Sequence, residues 1–138
     1  MTTPPASSTS TTPPPQPGPT RADHLSLGDL GERFARQQLV ARGLVPLDRN
    51  WRCDEGELDL VMLDGSVVVA VEVKTRRTVD HGHPVAAVDD DKLARLHRLV
   101  WRWLEAHGVR ARGVRVDVAG VLWPRHGRPT LTYVQGLS

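Results

Sequence analysis

Residues 56–74, reading Gly-Glu-Leu-Asp-Leu-Val-Met-Leu-Asp-Gly-Ser-Val-Val-Val-Ala-Val-Glu-Val-Lys, carry acids and an amine inside the most hydrophobic part of the chain. Asp64-Gly65 suits the positive φ values of a tight turn, and aliphatic runs flank it on both sides, which predicts a β-hairpin. With Asp64 and Gly65 as a two-residue loop, Leu63 pairs with Ser66, Asp59 with Ala70 and Glu57 with Glu72. A four-residue loop sets Asp59 directly opposite Glu72. Paired residues share a sheet face and faces alternate with period two, so both registers turn Glu57, Asp59, Glu72 and Lys74 to one side. A three-residue loop without a bulge separates them.

Such a hairpin needs compensation. Two carboxylates about 4 Å apart repel by roughly 4 kcal/mol at an effective dielectric near 20, and like charges opposite each other weaken a strand pair. A raised pKa on one acid, the ammonium of Lys74, or a bound divalent cation would each relieve the repulsion. Magnesium in particular is bound by one or two carboxylates together with water and phosphate oxygens. The plainer alternative is a set of solvated salt bridges on an exposed sheet face. Residues 67–73 weigh against it, because a nearly unbroken apolar run is typical of a strand covered on both faces. Charges inside such a strand are costly unless they serve a site.

The chain has 138 residues, enough for one domain with a single core. Aromatic residues are only 4%, so that core must rest on Val, Leu and Ala. A net charge of +2 and a pI near 9.2 permit a nucleic-acid partner without requiring one. Cys53 is the only cysteine, which excludes an internal disulfide and fits a reducing compartment. No apolar run approaches the roughly 20 residues that span a bilayer, and the N-terminus lacks the apolar core of a secretory signal. The expected location is the cytoplasm, with no membrane partner. Sixteen of the eighteen basic residues are Arg, and the two Lys are Lys74 and Lys92. A chain that favours Arg so strongly retains Lys where a compact, titratable donor is needed.

Residues 1–22 are dominated by Pro, Ser and Thr and cannot bury enough apolar surface to offset ordering, so a disordered tail is expected before a domain over residues 23–138. A helix is predicted from Ser26, as N-cap, to about Arg42, with Gly43 as its stop. Residues 44–51 surround Pro46 and read as an edge or irregular strand. Asp54 and Glu55 form a turn before the hairpin. Beyond Lys74, the donors Thr75, Arg76 and Arg77 suit phosphate contacts. Residues 78–88 read as a loop. Its His81 and His83 lack a Cys-x-x-Cys partner and make a weak zinc signal. Residues 89–107 repeat Leu93, Leu96, Val100, Trp103 and Leu104 at helical spacing, with Lys92, Arg95, Arg98 and Arg102 beside that stripe. This basic band is either a solvated face or a surface for nucleic-acid backbone. Residues 114–118 read as a strand, and residues 120–123 and 130–134 as a hairpin or two further short strands. The layout is α/β, with helices packed on a central sheet.

An acid on the first helix, Gly56-Glu57-Leu58-Asp59 on one strand and Glu72-Val73-Lys74 on the next resemble the active-site pattern of restriction-endonuclease-like nucleases. With Gly31-Glu32 and Ala35, Val71 to Arg76, Gly82-x-Pro84, Lys92 and Arg115-x-Asp117-Val118 added, the chain resembles the bacterial YraN family from residue 27 to residue 134. That resemblance implies a restriction-endonuclease-like αβββαβ core with a mixed central sheet flanked by helices, and a likeness to Holliday junction resolvases. It further implies a metal-dependent nuclease acting on DNA, probing structure rather than base sequence. Asp59 and Glu72 match the acids that bind one or two Mg2+ or Mn2+ ions, with the Val73 carbonyl as a further oxygen. Lys74 matches the lysine that orients the attacking water, and Glu32 the helix acid that could support a second ion. Glu57 is expected to support Asp59, and Arg76, Arg77, Lys92, Arg95 and Arg98 to contact the nucleic-acid backbone. Symmetric cleavage of a junction would imply a homodimer. A binding module without turnover, or a protein-interaction adaptor, is the competing expectation.

Overall fold

A computed structural model describes residues 25–137; the tail expected over residues 1–22 lies outside them. The first helix, α1 (Leu27–Ala41), begins where Ser26 and Asp29 cap each other reciprocally: Ser26 Oγ accepts from the Asp29 amide and Asp29 Oδ2 accepts from the Ser26 amide. It ends as Gly43 turns the chain with φ of +99°. Three strands follow, β1 (Val45–Cys53), β2 (Gly56–Asp64) and β3 (Val67–Arg76). A short 3-10 helix (Pro84–Ala87) lies within the segment expected to be loop, and it leads to α2 (Asp90–His107). Asp89 caps α2 and Gly108 closes it in the left-handed conformation. Strands β4 (Gly113–Leu122) and β5 (Thr130–Val134) complete the fold.

The five strands form one sheet in the order β1-β2-β3-β4-β5. β3 and β4 are parallel and every other pair is antiparallel. A parallel pair needs a long crossover, and α2 supplies it. The result is the expected αβββαβ core with β5 added at one edge. Pro46 sits in the edge strand β1, where a bulge at Pro46/Asp48 interrupts the pairing and no second neighbour needs its missing amide.

Each face of the sheet has its own core. On one side Leu58, Val61, Val68, Ala70 and Val116 pack under Leu93, Leu96, Leu99, Val100 and Trp103 of α2. On the other, Leu60, Met62, Val69, Val71, Val73, Ala119 and Val121 pack under Ala35 and Leu39 of α1. β3 is thus covered on both faces, as its apolar run predicts.

Two local expectations change. The hairpin loop is Gly65-Ser66, because Asp64 pairs with Val67 and Leu63 with Val68. This is the pairing of the four-residue alternative, closed one step further, with Gly65 at φ of +62°. The segments expected at 114–118 and 120–123 are one continuous strand, which ends at Leu122. Gly120 does not end it: a Cβ there would stand 2.7 Å from Val85 Cγ2 and 3.1 Å from the Val85 amide, so the glycine makes room for the 3-10 helix against the sheet. His83 anchors the same segment, its Nδ1 accepting from the Val85 amide and its Nε2 lying 3.3 Å from Thr132 Oγ1.

The Arg115-x-Asp117 motif braces the β4 edge. Asp117 is fully buried and accepts two hydrogen bonds from Arg115, one from the Tyr133 hydroxyl and one from the Gly136 amide. Arg115 also reaches Asp64 at 2.9 Å, which ties the hairpin end to β4. Burial and the bond to Asp117 push the Tyr133 hydroxyl well above its ordinary range. Removing one member of a buried, hydrogen-bonded charge pair strands the others. Asp117→Ala should therefore lower stability by about 3 kcal/mol in urea denaturation, and Tyr133→Phe by about 1 kcal/mol. An unchanged denaturation midpoint for Asp117→Ala would contradict this role.

Candidate active site

Glu72 lies in the middle of the sheet. β3 alternates cleanly: Val69, Val71 and Val73 face α1, while Val68, Ala70 and therefore Glu72 and Lys74 face α2. The Glu72 residue is only 5% exposed. Two ammonium groups approach the same oxygen, Oε1: Lys92 Nζ at 3.6 Å from the first turn of α2, and Lys74 Nζ at 4.0 Å from β3 itself. Both distances exceed a hydrogen bond, so the carboxylate is flanked by positive charge rather than locked to it.

Asp59 stands at a break in strand alternation, one step beyond the paired Leu60 and Val71. Leu58 packs toward α2 and Leu60 toward α1, although residues two apart on a regular strand share a face. The partner strand breaks at the same point. Arg49 pairs with Leu60 and Trp51 with Leu58, and the Asn50 between them has φ of +52°. Asn adopts that conformation more readily than other side-chain-bearing residues, which lets β1 and β2 switch faces together. The β2–β3 ladder is continuous as far as Leu60↔Val71. The Val73 amide then donates to Asp59 Oδ2 at 2.9 Å, so a side chain takes over where the backbone ladder stops.

At this switch point Asp59 acts on acids from both layers. Burial, followed by the charge of Asp59 and a hydrogen bond with it, pushes the Glu72 carboxyl up to about 7, while Lys92 and Lys74 pull the other way. Burial, then Asp59, Asp29 and Glu57, push Glu32 on α1 up to about 7 as well, opposed by Arg49. Gly31 allows α1 to come this close. A Cβ at that position would lie 1.8 Å from Thr75 Oγ1, a buried hydroxyl with no hydrogen-bond partner.

The remaining predicted residues divide. Leu58 faces α2, so the adjacent Glu57 faces away from Glu72, and its carboxylate pairs with Arg52 Nε at 2.9 Å. Arg77 donates to the Trp123 carbonyl at 3.3 Å, tying the end of β3 to the end of β4. Arg76, Arg95 and Arg98 are exposed. Lys92, grouped by sequence with that basic band, belongs instead with Glu72. The signal for this was compositional, since the only two lysines of the chain meet at one carboxylate.

Among the described residues no three His, Cys, Asp or Glu side chains converge as a ready-made metal cage. The donor set is a carboxylate pair, Asp59 and Glu72, with Glu32 beside Asp59 on the other face. Magnesium and manganese take hard oxygen donors, and magnesium commonly keeps several waters, so a protein carboxylate pair suits either ion. Crowding of buried like charges also favours a cation there.

The two raised acids set a pH dependence. Each titrates higher in the folded chain than the ordinary 4.5, so between about 4.5 and 7 the folded state holds protons that the unfolded chain has released. Stability contributed by these acids is complete below that window and is lost as pH rises through it. Without added metal, thermal melts from pH 5 to pH 8 should show the wild type losing on the order of 2 kcal/mol relative to Glu72→Gln. Parallel profiles for the two proteins would show that Glu72 is not held at a raised pKa.

Comparison with known proteins agrees with the motif resemblance. The model of an uncharacterised protein family, UPF0102, matches residues 31–121, which include Glu32, Asp59, Glu72, Lys74 and Lys92. A UPF0102 protein from Nocardioides sp. is 47% identical over 113 residues, covering 82% of this chain and 91% of its own. Another, from Clavibacter michiganensis subsp. michiganensis, is 50% identical over 109 residues, covering 79% and 92%. A third, from Streptomyces coelicolor, is 45% identical over 115 residues, covering 82% and 88%. The chain belongs to the uncharacterised protein family UPF0102, the YraN family.

Proposed function

We propose that this chain is a metal-dependent phosphodiesterase that hydrolyses DNA and selects branched or flapped structure over base sequence. The observation that carries the reading is Glu72: a carboxylate buried in the central strand, crowded by Asp59 and faced by two ammonium groups. A packed core gains nothing from such an arrangement, whereas phosphoryl transfer needs anions to hold a cation and cations to hold a phosphate.

Asp59 and Glu72 would hold Mg2+ or Mn2+, and Glu32 is the acid that could support a second ion. When bound, the ion supplies Lewis acidity at the scissile phosphate and makes its water a stronger nucleophile. The chain's own contribution is positional. The Val73 amide fixes one Asp59 oxygen, leaving the other to turn toward a ligand. Lys74, partly exposed beside Glu72, can orient a water and stabilise charge developing on the phosphate. Arg76, Arg95 and Arg98 offer exposed guanidinium groups for neighbouring phosphates. Such contacts fix register on the backbone and carry no base information, which supports selection by structure.

A panel of labelled duplex, flapped, four-way and single-stranded DNA, with matching RNA, tests this in the presence of Mg2+ or Mn2+. Cleavage of at least one branched DNA is expected, falling at least about 100-fold in Glu72→Ala and Lys74→Ala. Cleavage that is equal in Glu72→Ala rejects the site. Salt-sensitive binding without cleavage in either metal identifies a binding module instead.

A further inference from the structure

Lys92 is absent from the strand motif, yet its ammonium is the nearer of the two at Glu72 Oε1, at 3.6 Å against 4.0 Å for Lys74. Its placement is built. Asp89 Oδ1 accepts the Lys92 amide at 2.8 Å, fixing the residue in the first turn of α2. Leu93 and Leu96, buried against the sheet, set the helix over β3. The 3-10 helix leading into α2 is seated in the space left by Gly120, which pairs in register with Lys74. The backbone on both sides of Lys92 is therefore held, while its side chain is free to swing: the lysine is 34% exposed and the carboxylate it faces 6%. Every other basic side chain apart from Lys74 is Arg or His, so a compact ammonium is used at Glu72 and nowhere else. An ammonium is held as a point charge by a flexible stem, and it leaves a carboxylate more readily than a bidentate guanidinium does.

We propose that Lys92 is a displaceable counter-ion, which neutralises Glu72 until a divalent cation takes that carboxylate and then turns its ammonium to a phosphate of the incoming nucleic acid. The inference rests on the metal-dependent reading of the same site. Lys74 has the shorter path along its own strand and stays beside Glu72. Lys92 approaches from a different element, the first turn of α2, with its side chain 34% exposed. Before the cation binds, Lys92 competes with it by charge; afterwards, the same charge serves the substrate.

Mn2+ binding to the free protein, followed by calorimetry at pH 8, tests the first half in wild type, Lys92→Gln and Lys92→Arg. Lys92→Gln should bind Mn2+ at least about fivefold more tightly, because a competing positive charge has been removed. Lys92→Arg should bind no more tightly than wild type. Binding to a four-way DNA junction in Ca2+, across a range of salt concentrations, tests the second half. Loss of one phosphate contact should reduce the salt slope of Lys92→Gln by about one. Melting curves establish that each variant is folded, and Lys92→Met replaces Lys92→Gln if the amide is not tolerated. A wild type that binds Mn2+ while neither neutral variant binds it more tightly overturns the counter-ion role. Tighter Mn2+ binding with an unchanged salt slope overturns the phosphate role. A wild type that binds no Mn2+ overturns the metal-site reading itself, and the inference with it.

Discussion

Glu72 sits where a β-sheet of this kind ordinarily places valine. Its neighbours on β3 are buried on both faces, and each helix exists to cover one of those faces. A carboxylate at that position is stable only if its charge is neutralised by a proton, by ammonium groups or by a cation. The first two are visible in the chain itself, in the raised titration of Glu72 and in the approach of Lys74 and Lys92. In the proposed reading a divalent ion would displace the proton and the Lys92 ammonium, while Lys74 stays beside the acid. The fold thus holds the acid in a state of incomplete compensation, and the proposed chemistry follows from that.

The second acid sits at a defect in the sheet. A regular β2 would place Leu58 and Leu60 in the same core; the switch at Asp59, matched by Asn50 on β1, sends them to opposite ones. One carboxylate thereby influences Glu72 in one layer and Glu32 in the other. Irregular strand geometry beside a functional site commonly re-aims a side chain in this way. The Val73 amide keeps the re-aimed group in place.

Much of this arrangement was legible in the sequence, for identifiable reasons. The apolar run over residues 67–73 announced a strand buried on both faces, and the helical spacing from Leu93 to Leu104 announced α2. The meeting of Asp59 with Glu72 followed from period-two pairing about Asp64-Gly65, although the loop closes one step later. What periodicity could not show was the face switch, because it depends on the φ of Asn50 in a strand not adjacent in pattern. Period two alone therefore groups Glu57 with Glu72, whereas it faces away and pairs with Arg52. Residues 114–118 and 120–123 read as separate segments, because the benefit of a missing side chain at Gly120 lies in the Val85 it accommodates, far off in sequence. Lys92 read as part of a basic face because a helix stripe gives no indication of which strand residue lies beneath it. Asp117 was recognisable as a motif but not as a brace, since two of its donors, Tyr133 and Gly136, come from the last residues of the chain.

The electrostatic state of Glu72 is accessible without substrate or turnover. Carbon-detected NMR of the Glu72 side-chain carboxyl, titrated from pH 4 to pH 9 with and without Mg2+, reads it directly. A midpoint near 7 is expected in the metal-free protein, moving down by at least about one unit when Mg2+ stabilises the ionised form. A midpoint at the ordinary glutamate value that ignores Mg2+ would contradict a buried glutamate crowded by Asp59 and poised to receive a cation.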